Sequence, residues 1–239
     1  GQSSPAIWKH KGRPLAILHS GKDTICVDPA DGKTLWSAES QAGRSSPVVV
    51  GDRLITYGNS RKGGLRCFGL TSENAELLWT NTAVADEGSS PVVVDDHVYV
   101  HGDRRLVCVD METGKTQWRR EIDIERPRYT SLIAADNKVI FAAGGLLCFA
   151  ADPDKFNLLV NGRFDQEGRL ASEEHFREVL NINQLEQTAE GQKQAESLWR
   201  KTIGSGGPAQ CVSPAIDDGR LFLRMKSGRV ACYDLRRHR

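Results

Sequence analysis

The chain has 239 residues, and its 32 Lys and Arg balance 31 Asp and Glu to a formal net charge of +1. That length allows one or two domains with a substantial core. The charges are spread along the whole chain, which speaks against nucleic-acid binding, because that footprint needs a clustered basic face. The longest apolar runs, such as Val48 to Val50 and Val92 to Val94, are strand-sized, so no membrane insertion by a helix is expected.

The chain opens Gly1-Gln2-Ser3-Ser4 without a charged-then-apolar leader, so a signal peptide is read as absent or already removed. From there four features recur in fixed order. A small-polar-Pro entry leads into an apolar strand at Ser3-Ser4-Pro5, Ser45-Ser46-Pro47, Ser89-Ser90-Pro91 and Ser213-Pro214, with Thr130-Ser131-Leu132 as a weaker copy. A tight-turn pair follows at Gly51-Asp52, Asp95-Asp96, Asp136-Asn137 and Asp218-Gly219. Next comes a strand centred on Cys26, Cys67, Cys108, Cys148 or Cys232. Last comes a tryptophan, at Trp36, Trp79, Trp118 and Trp199. The cysteines are spaced by 41, 41, 40 and 84 residues and the tryptophans by 43, 39 and 81, so one phase fits every feature. A period of about 40 residues with several strands per unit reads as a propeller.

Within the third unit, Pro91 to Val94 is strand A and Asp95-Asp96 a two-residue hairpin that needs positive φ. Val98 to His101 is strand B, Leu106 to Asp110 is strand C, and strand D surrounds Trp118. Strand C is apolar on both faces, the pattern of burial between two neighbouring sheets. In the fourth unit Cys148 and Trp199 lie 51 residues apart, where the other units need 10 to 12. Residues 152–195 are therefore expected to leave the blade at its C–D turn. Ser172 to Leu185 reads as an amphipathic helix capped by Ser172, with Phe176, Val179 and Leu180 on one face. Glu186 to Ser197 reads as a polar, mobile tail. The insertion is either surface decoration or a partner-binding or blade-capping element. The last unit has strands at Val212 to Ile216, Arg220 to Arg224 and Arg229 to Asp234, but the sequence given ends before a tryptophan strand.

The expected fold is thus all-β: a β-propeller of four-stranded antiparallel blades, about 4.75 of them present. Blades are read at 1–41, 42–84, 85–127, 128–206 and 207–239. The arrangement is expected to belong to a larger ring, completed by missing blades of a parent chain or by a second copy in a homodimer.

The segments Cys26 to Trp36 and Cys108 to Trp118 closely resemble the tryptophan-docking repeat of PQQ-type propellers, the family of quinoprotein dehydrogenases and BamB-like envelope proteins. The resemblance covers nearly all of the chain outside the insertion, and it implies a ring of seven or eight blades. On the residues alone, Asp28 or Asp110 can bond turn amides, Gly32 or Gly114 takes a positive-φ position, and the Trp packs over the next blade. The second unit departs from this by placing Asn74 or Ala75 where the Gly stands. WD repeats have a similar period, but here the tryptophan follows the turn.

No catalytic, cofactor-binding or metal-ligating residue is assigned. The tryptophans fall at docking positions and no two cysteines are adjacent, unlike the pair that many quinoproteins set against PQQ. Asp86, Glu87, Asp123 and Glu125 are surplus carboxylates read as solvated loop charges. His10, His19, His97, His101, His175 and His238 show no metal-ligand spacing. The five repeat cysteines read as buried small hydrophobes without disulfides, and Cys211 as an exposed outlier. The resemblance implies a non-catalytic scaffold that binds a protein partner or ligand in the periplasm or cell envelope. The alternatives are part of a PQQ- and Ca²⁺-dependent sugar or alcohol dehydrogenase, or the sensory domain of a larger regulatory protein.

Overall fold

The computed structural model describes residues 3–86, 88–122 and 129–236. The first antiparallel sheet contains β1 (Ala6–His10), β2 (Arg13–Ser20), β3 (Asp23–Val27) and β4 (Thr34–Glu39). The second contains β5 (Val48–Val50), β6 (Arg53–Tyr57), β7 (Leu65–Leu70) and β8 (Ala75–Asn81). The third contains β9 (Val92–Val94), β10 (His97–Gly102), β11 (Arg105–Asp110) and β12 (Thr116–Glu121). Five strands make the fourth: β13 (Ile133–Ala135), β14 (Lys138–Ala142), β15 (Gly145–Ala150), β16 (Leu158–Phe164) and β17 (Leu170–Ala171). The fifth has β18 (Ala215–Asp217), β19 (Arg220–Arg224) and β20 (Val230–Asp234).

Every sheet runs in sequence order, as a meander must when two-residue turns join its strands. The A–B turns use positive φ at Asp95 (49°), Asp136 (50°) and Asp218 (44°), as the Asp- and Gly-rich turn pairs predict. Four apolar layers join the five sheets pairwise. Cys26 lies in the layer between sheets 1 and 2, Cys67 between 2 and 3, Cys108 between 3 and 4, and Cys148 between 4 and 5. This is the radial order of propeller blades, each burying a face against the next.

The cysteine and the tryptophan mark one register. Cys26 faces Trp36, Cys67 faces Trp79 and Cys108 faces Trp118, and the ladder shifts by a bulge immediately after each cysteine. A bulge raises local twist and re-aims the following side chains. It does so where strand D turns its indole toward the next blade. Trp36 Nε1 donates to Thr71 O (3.1 Å), Trp79 Nε1 to Met111 O (2.9 Å), and Trp118 Nε1 to Asp152 O (2.8 Å). The acceptors all lie at C–D turns of the following blade. Inside those turns, Asp28 Oδ1 accepts from Ala30 N (3.0 Å) and Asp110 Oδ1 from Thr113 N (2.7 Å), while Gly32 and Gly114 sit at φ +74° and +71°. Trp36 is buried, whereas Trp79 and Trp118 are half-buried.

The fourth blade corrects the expectation for Trp199. Its strand D is β16, reached from β15 by a short turn, and Val160 faces Cys148 where the other blades carry tryptophan. The insertion therefore follows strand D, in the connection to blade 5, and Trp199 ends a helix. The apolar run Leu158-Leu159-Val160 places a β-branched valine in the slot, and this local preference prevails over the identity of the repeated residue.

The helix expected over Ser172 to Leu185 is split. Ser172 caps α1 (Glu173–Val179) by accepting from His175 N at 3.1 Å, but Asn181 takes φ +54° and restarts the chain as α2 (Ile182–Leu185). Phe176 and Ile182 are buried, while Val179 is 65% exposed. Residues 189–197, read as part of a mobile tail, lie in α3 (Ala189–Trp199). Thr188 caps it, and Gly191 and Ala195 are buried. A π-helical turn, Arg200–Gly204, returns the chain to the blades.

Blade 5 differs from the rest in its solvent exposure. Among the described residues no apolar layer joins it to blade 1, and Ile7 and Val230 are 57% and 68% exposed. Cys232, expected to be buried, is exposed for this reason: nothing described covers that side of β20.

The docking geometry can be tested through two glycines with nearly identical φ. A Cβ on Gly114 would lie 2.5 Å from Trp79 Cδ2, whereas one on Gly32 would meet nothing within 4 Å. Gly32→Ala is expected to cost about 1–2 kcal/mol, the left-handed penalty alone. Gly114→Ala should cost at least about 1 kcal/mol more, since it also displaces the Trp79 indole. Equal urea midpoints for the two variants would contradict the docked arrangement.

Thiol reactivity tests the cysteine layers. Burial pushes the Cys26 thiol up to about 11 and that of Cys108 to about 12, and it raises those of Cys67 and Cys148 as well. These four should resist a disulfide reagent at pH 8 in the native chain and all react once it is unfolded in urea. Fewer than five reactive repeat cysteines in non-reducing urea would reveal a disulfide.

Candidate axial binding site

The serines of the strand-A entries do more than start strands. Ser4 N donates to Ser46 Oγ (3.0 Å), Ser46 N to Ser90 Oγ (2.9 Å), and Ser90 N to Ser131 Oγ (3.0 Å). Each partner is one blade further on, so a row of hydroxyls stitches the innermost strands edge to edge. Strand A lies nearest the propeller axis, and these serines, with Ser213, line an open funnel of about 590 Å³. The residues just before them in sequence form its rim: Arg44, Gly88, Tyr129 and Cys211. At Ser46, Ser90 and Ser131 the inner residue is held to serine because its hydroxyl makes the stitch. The rim position is under no such constraint and differs in every blade.

Across the rim, Arg44 of blade 2 reaches Tyr129, which precedes blade 4. The guanidinium carbon lies 5.3 Å from the ring centroid and Nη1 donates to the phenolic oxygen. The bridge passes over blade 3, where a Cβ on Gly88 would lie only 2.1 Å from Tyr129 Cδ1. Only glycine at that position leaves the tyrosine its place. Tyr129 itself takes φ +57° to aim its ring inward, and Cys211 takes φ +62°.

Beneath the rim lies a buried polar knot. Ser45 Oγ donates to Ser89 O (2.5 Å). Asp86 Oδ1 accepts from Gly88 N (2.9 Å), Ser89 N (2.7 Å) and Ser89 Oγ (2.5 Å). His101 Nε2 contacts both Ser89 Oγ (2.5 Å) and Thr130 O. A carbonyl can only accept, so Nε2 carries the proton. Ser89 then accepts from histidine and gives its own proton to Asp86. A nucleophilic serine needs the reverse wiring, with imidazole as the acceptor. Asp, Ser and His here form a structural clamp joining blades 2, 3 and 4.

Of the carboxylates singled out from sequence, Asp86 lies among the described residues and takes part in this knot. Glu87, Asp123 and Glu125 lie outside the described residues, as does His238. His10 lies tilted against Trp8 with ring centroids 4.6 Å apart, His97 pairs with Asp110 in the sheet, and His175 lies on α1. The described residues include no group of three or more His, Cys, Asp or Glu placed to hold a metal ion, and no described helix is long and apolar enough to cross a membrane. Arg44, Gly88 and Tyr129 were not legible as site residues by type. Their signal is phase: each stands at the same point of the repeat, immediately before a strand that faces the axis.

Two buried histidines set an acid limit. Burial lowers the His19 value to about 4, with Nδ1 2.8 Å from Thr24 Oγ1 and Nε2 without a partner. Burial also holds His101 below its ordinary range, against the opposing pull of Asp86 and the Thr130 carbonyl. Both folded values lie below the unfolded one, so the unfolded chain binds the extra protons. This contribution is therefore complete above about pH 6.5 and is lost as pH falls toward 4. Unfolding in urea at pH 7 and pH 5 should show a loss of about 1–3 kcal/mol, and His19→Gln should flatten part of that slope. An unchanged midpoint would contradict the assignment.

The family model described as outer membrane protein assembly factor BamB matches residues 21–236. No curated protein sequence matches at a significant level. Among solved structures, the chain is similar to BamB from Moraxella catarrhalis, with 15% identity and TM-score 0.48, covering 99% of this chain and 81% of that one. It is also similar to the quinohemoprotein alcohol dehydrogenase from Comamonas testosteroni. There the identity is 10% and the TM-score 0.59, over 97% of this chain and 41% of the enzyme. The computationally designed Ika8 protein aligns at 10% identity and TM-score 0.51, over 95% of this chain and 70% of its own. The likeness to the last two, at 10% identity, speaks for the propeller fold alone.

Proposed function

The chain belongs to the family of outer membrane protein assembly factor BamB, and on that premise we propose that it is a binding scaffold that holds a protein partner in the cell envelope. The observation that carries this reading is the unequal use of the two ends of the blades. At one end lie the two-residue A–B turns and the C–D turns, whose carbonyls accept the docked indoles. The carbonyls of Thr71, Met111 and Asp152 at that end are occupied in joining blade to blade. The other end carries the B–C loops, the long D–A connections, the axial rim and the whole helical insertion.

The insertion is a firm part of that surface. Asp165, with 1% of its side chain exposed, accepts from Glu167 N (3.0 Å) and Arg169 N (2.8 Å), and Arg169 Nε meets its second oxygen at 2.6 Å. Tyr233 of blade 5 donates to Gly168 O at 2.5 Å, and Arg163 ties β16 to Glu173 of α1 at 3.0 Å. A rigid platform that projects helices and loops from one end suits partner capture, since binding residues concentrate on loops held by a stiff frame. The open faces of blades 1 and 5 fit further blades or a second copy.

The quinoprotein alternative draws less support from the same residues. A quinone stacked at the axis needs a free aromatic plane, yet Trp36, Trp79 and Trp118 are docked onto neighbouring turns and the Arg44 guanidinium lies over the Tyr129 ring. The described residues that line the funnel include no carboxylate to ligate Ca²⁺. These residues do not fit PQQ with Ca²⁺. Photo-crosslinking residues placed in living cells at Lys62 and Lys193 (loop end) and at Asp31 and Glu112 (turn end) test the reading. Discrete protein adducts should form only from the first pair, and adding PQQ with Ca²⁺ should leave the purified chain's fluorescence unchanged. Adducts confined to the turn end, or a saturable quenching by PQQ, would overturn it.

A further inference from the structure

We propose that the axial funnel is a binding site for a small oxyanion, such as phosphate or a compact carboxylate, received by Arg44 and the serine row. Three features converge on this chemistry.

The first is the state of the hydroxyls. Ser46, Ser90 and Ser131 each accept a backbone N–H from the preceding blade, which fixes the position of the oxygen. A serine hydroxyl has one proton to donate, and among the described residues no acceptor takes these three. The stitch thus leaves a row of immobilised O–H donors on the wall of the funnel. Donors held in place by the fold bind an acceptor with little loss of rotamer freedom, one of the costs of polar recognition.

The second is charge. The Arg44 guanidinium is exposed at the rim, and its fixed partner is the Tyr129 phenol, a neutral group. Among the described residues no carboxylate forms an ion pair with it. Tyr129 orients the cation without adding an opposite charge, so an anion entering the funnel meets a positioned guanidinium. Charge-assisted bonds of this kind are about twice as strong as neutral ones.

The third is room and the handling of Asp86. Gly88 contributes no side chain to the wall, which keeps the funnel open beside the rim bridge. Asp86 lies below the serines, and its Oδ1 is saturated by three donors from Gly88 and Ser89. Its charge is turned inward, toward backbone N–H groups, and the donors that face the funnel remain available.

Titration of the purified chain with inorganic phosphate and with citrate at low ionic strength, followed by calorimetry and by phosphorus NMR linewidth, tests the site. Saturable binding is expected, weakened at least tenfold in Arg44→Gln, the scale of losing one charge-assisted bond. Tyr129→Phe keeps the ring under the cation and should stay within about threefold of the parent. Gly88→Val, which displaces Tyr129, should weaken binding without lowering the thermal midpoint by more than a few degrees. If Gly88→Val fails to fold, the comparison of Arg44→Gln with Tyr129→Phe decides alone, since both residues lie at the surface. Equal affinity of Arg44→Gln and parent, an equivalent response to chloride, or no binding at 50 mM phosphate, a concentration of about that order sufficing for even weak sites, would overturn the proposal. None of these outcomes bears on partner capture, which the crosslinking pattern reads separately.

Discussion

The indole N–H of each docking tryptophan, donating to a carbonyl of the next blade's turn, is the bond on which the arrangement rests. An indole nitrogen buried without an acceptor would be costly, and a turn carbonyl left bare at a blade junction would be costly too. Each satisfies the other only when the two sheets sit at one separation and one rotation. The large ring then fills the gap that this geometry leaves. The bond is directional: blade n reaches blade n+1, so the chain is built as a series of nearest-neighbour contacts. Three such bonds, at 3.1, 2.9 and 2.8 Å, join the first four blades.

The same directionality explains how much of the fold could be read from letters. The period, the cysteine strands and the turn pairs were legible because each repeats a physical demand: burial on both faces of strand C, positive φ at a hairpin, an indole facing a turn. Trp199 misled because residue type alone was counted. The slot in β16 asks for an apolar residue opposite Cys148, and Val160 meets that demand from a strand-forming run only a few residues away. A tryptophan within a stretch of Ala, Glu, Gln and Lys behaves as those neighbours do and ends a helix. Cys232 misled for a complementary reason. Its strand has the right sequence, but burial of strand C depends on what lies across from it as well as on the strand itself.

The axial site was harder to find, since its building blocks were in view under another role. Ser46, Ser90 and Ser131 were legible as strand starts, and nothing in the repeat distinguishes a serine that merely precedes proline from one whose oxygen takes an N–H from another blade. The fourth blade shows the difference: Leu132 replaces the proline, yet Ser131 keeps its bond. The hydroxyl is what the axis requires and the proline is dispensable. Asp86 was visible as a spare acid, but its part in the knot with Ser89 and His101 depends on contacts across blades that no local pattern encodes.

The junction after the fourth blade lacks an indole, with Val160 in the slot and 41% exposed. There the chain also leaves the meander for some forty residues before the fifth blade begins. The two facts belong together. Where an indole fixes the angle between blades, a long excursion between them must return to a fixed point or break the bond. Where none does, the excursion itself can become the brace, as the Tyr233 bond to Gly168 and the close approach of Gly206 to the Asp165 carbonyl show. A repeat array of this kind gains new sequence most readily at its loosest seam, and the fifth blade hangs from the foreign segment as much as from its own kind.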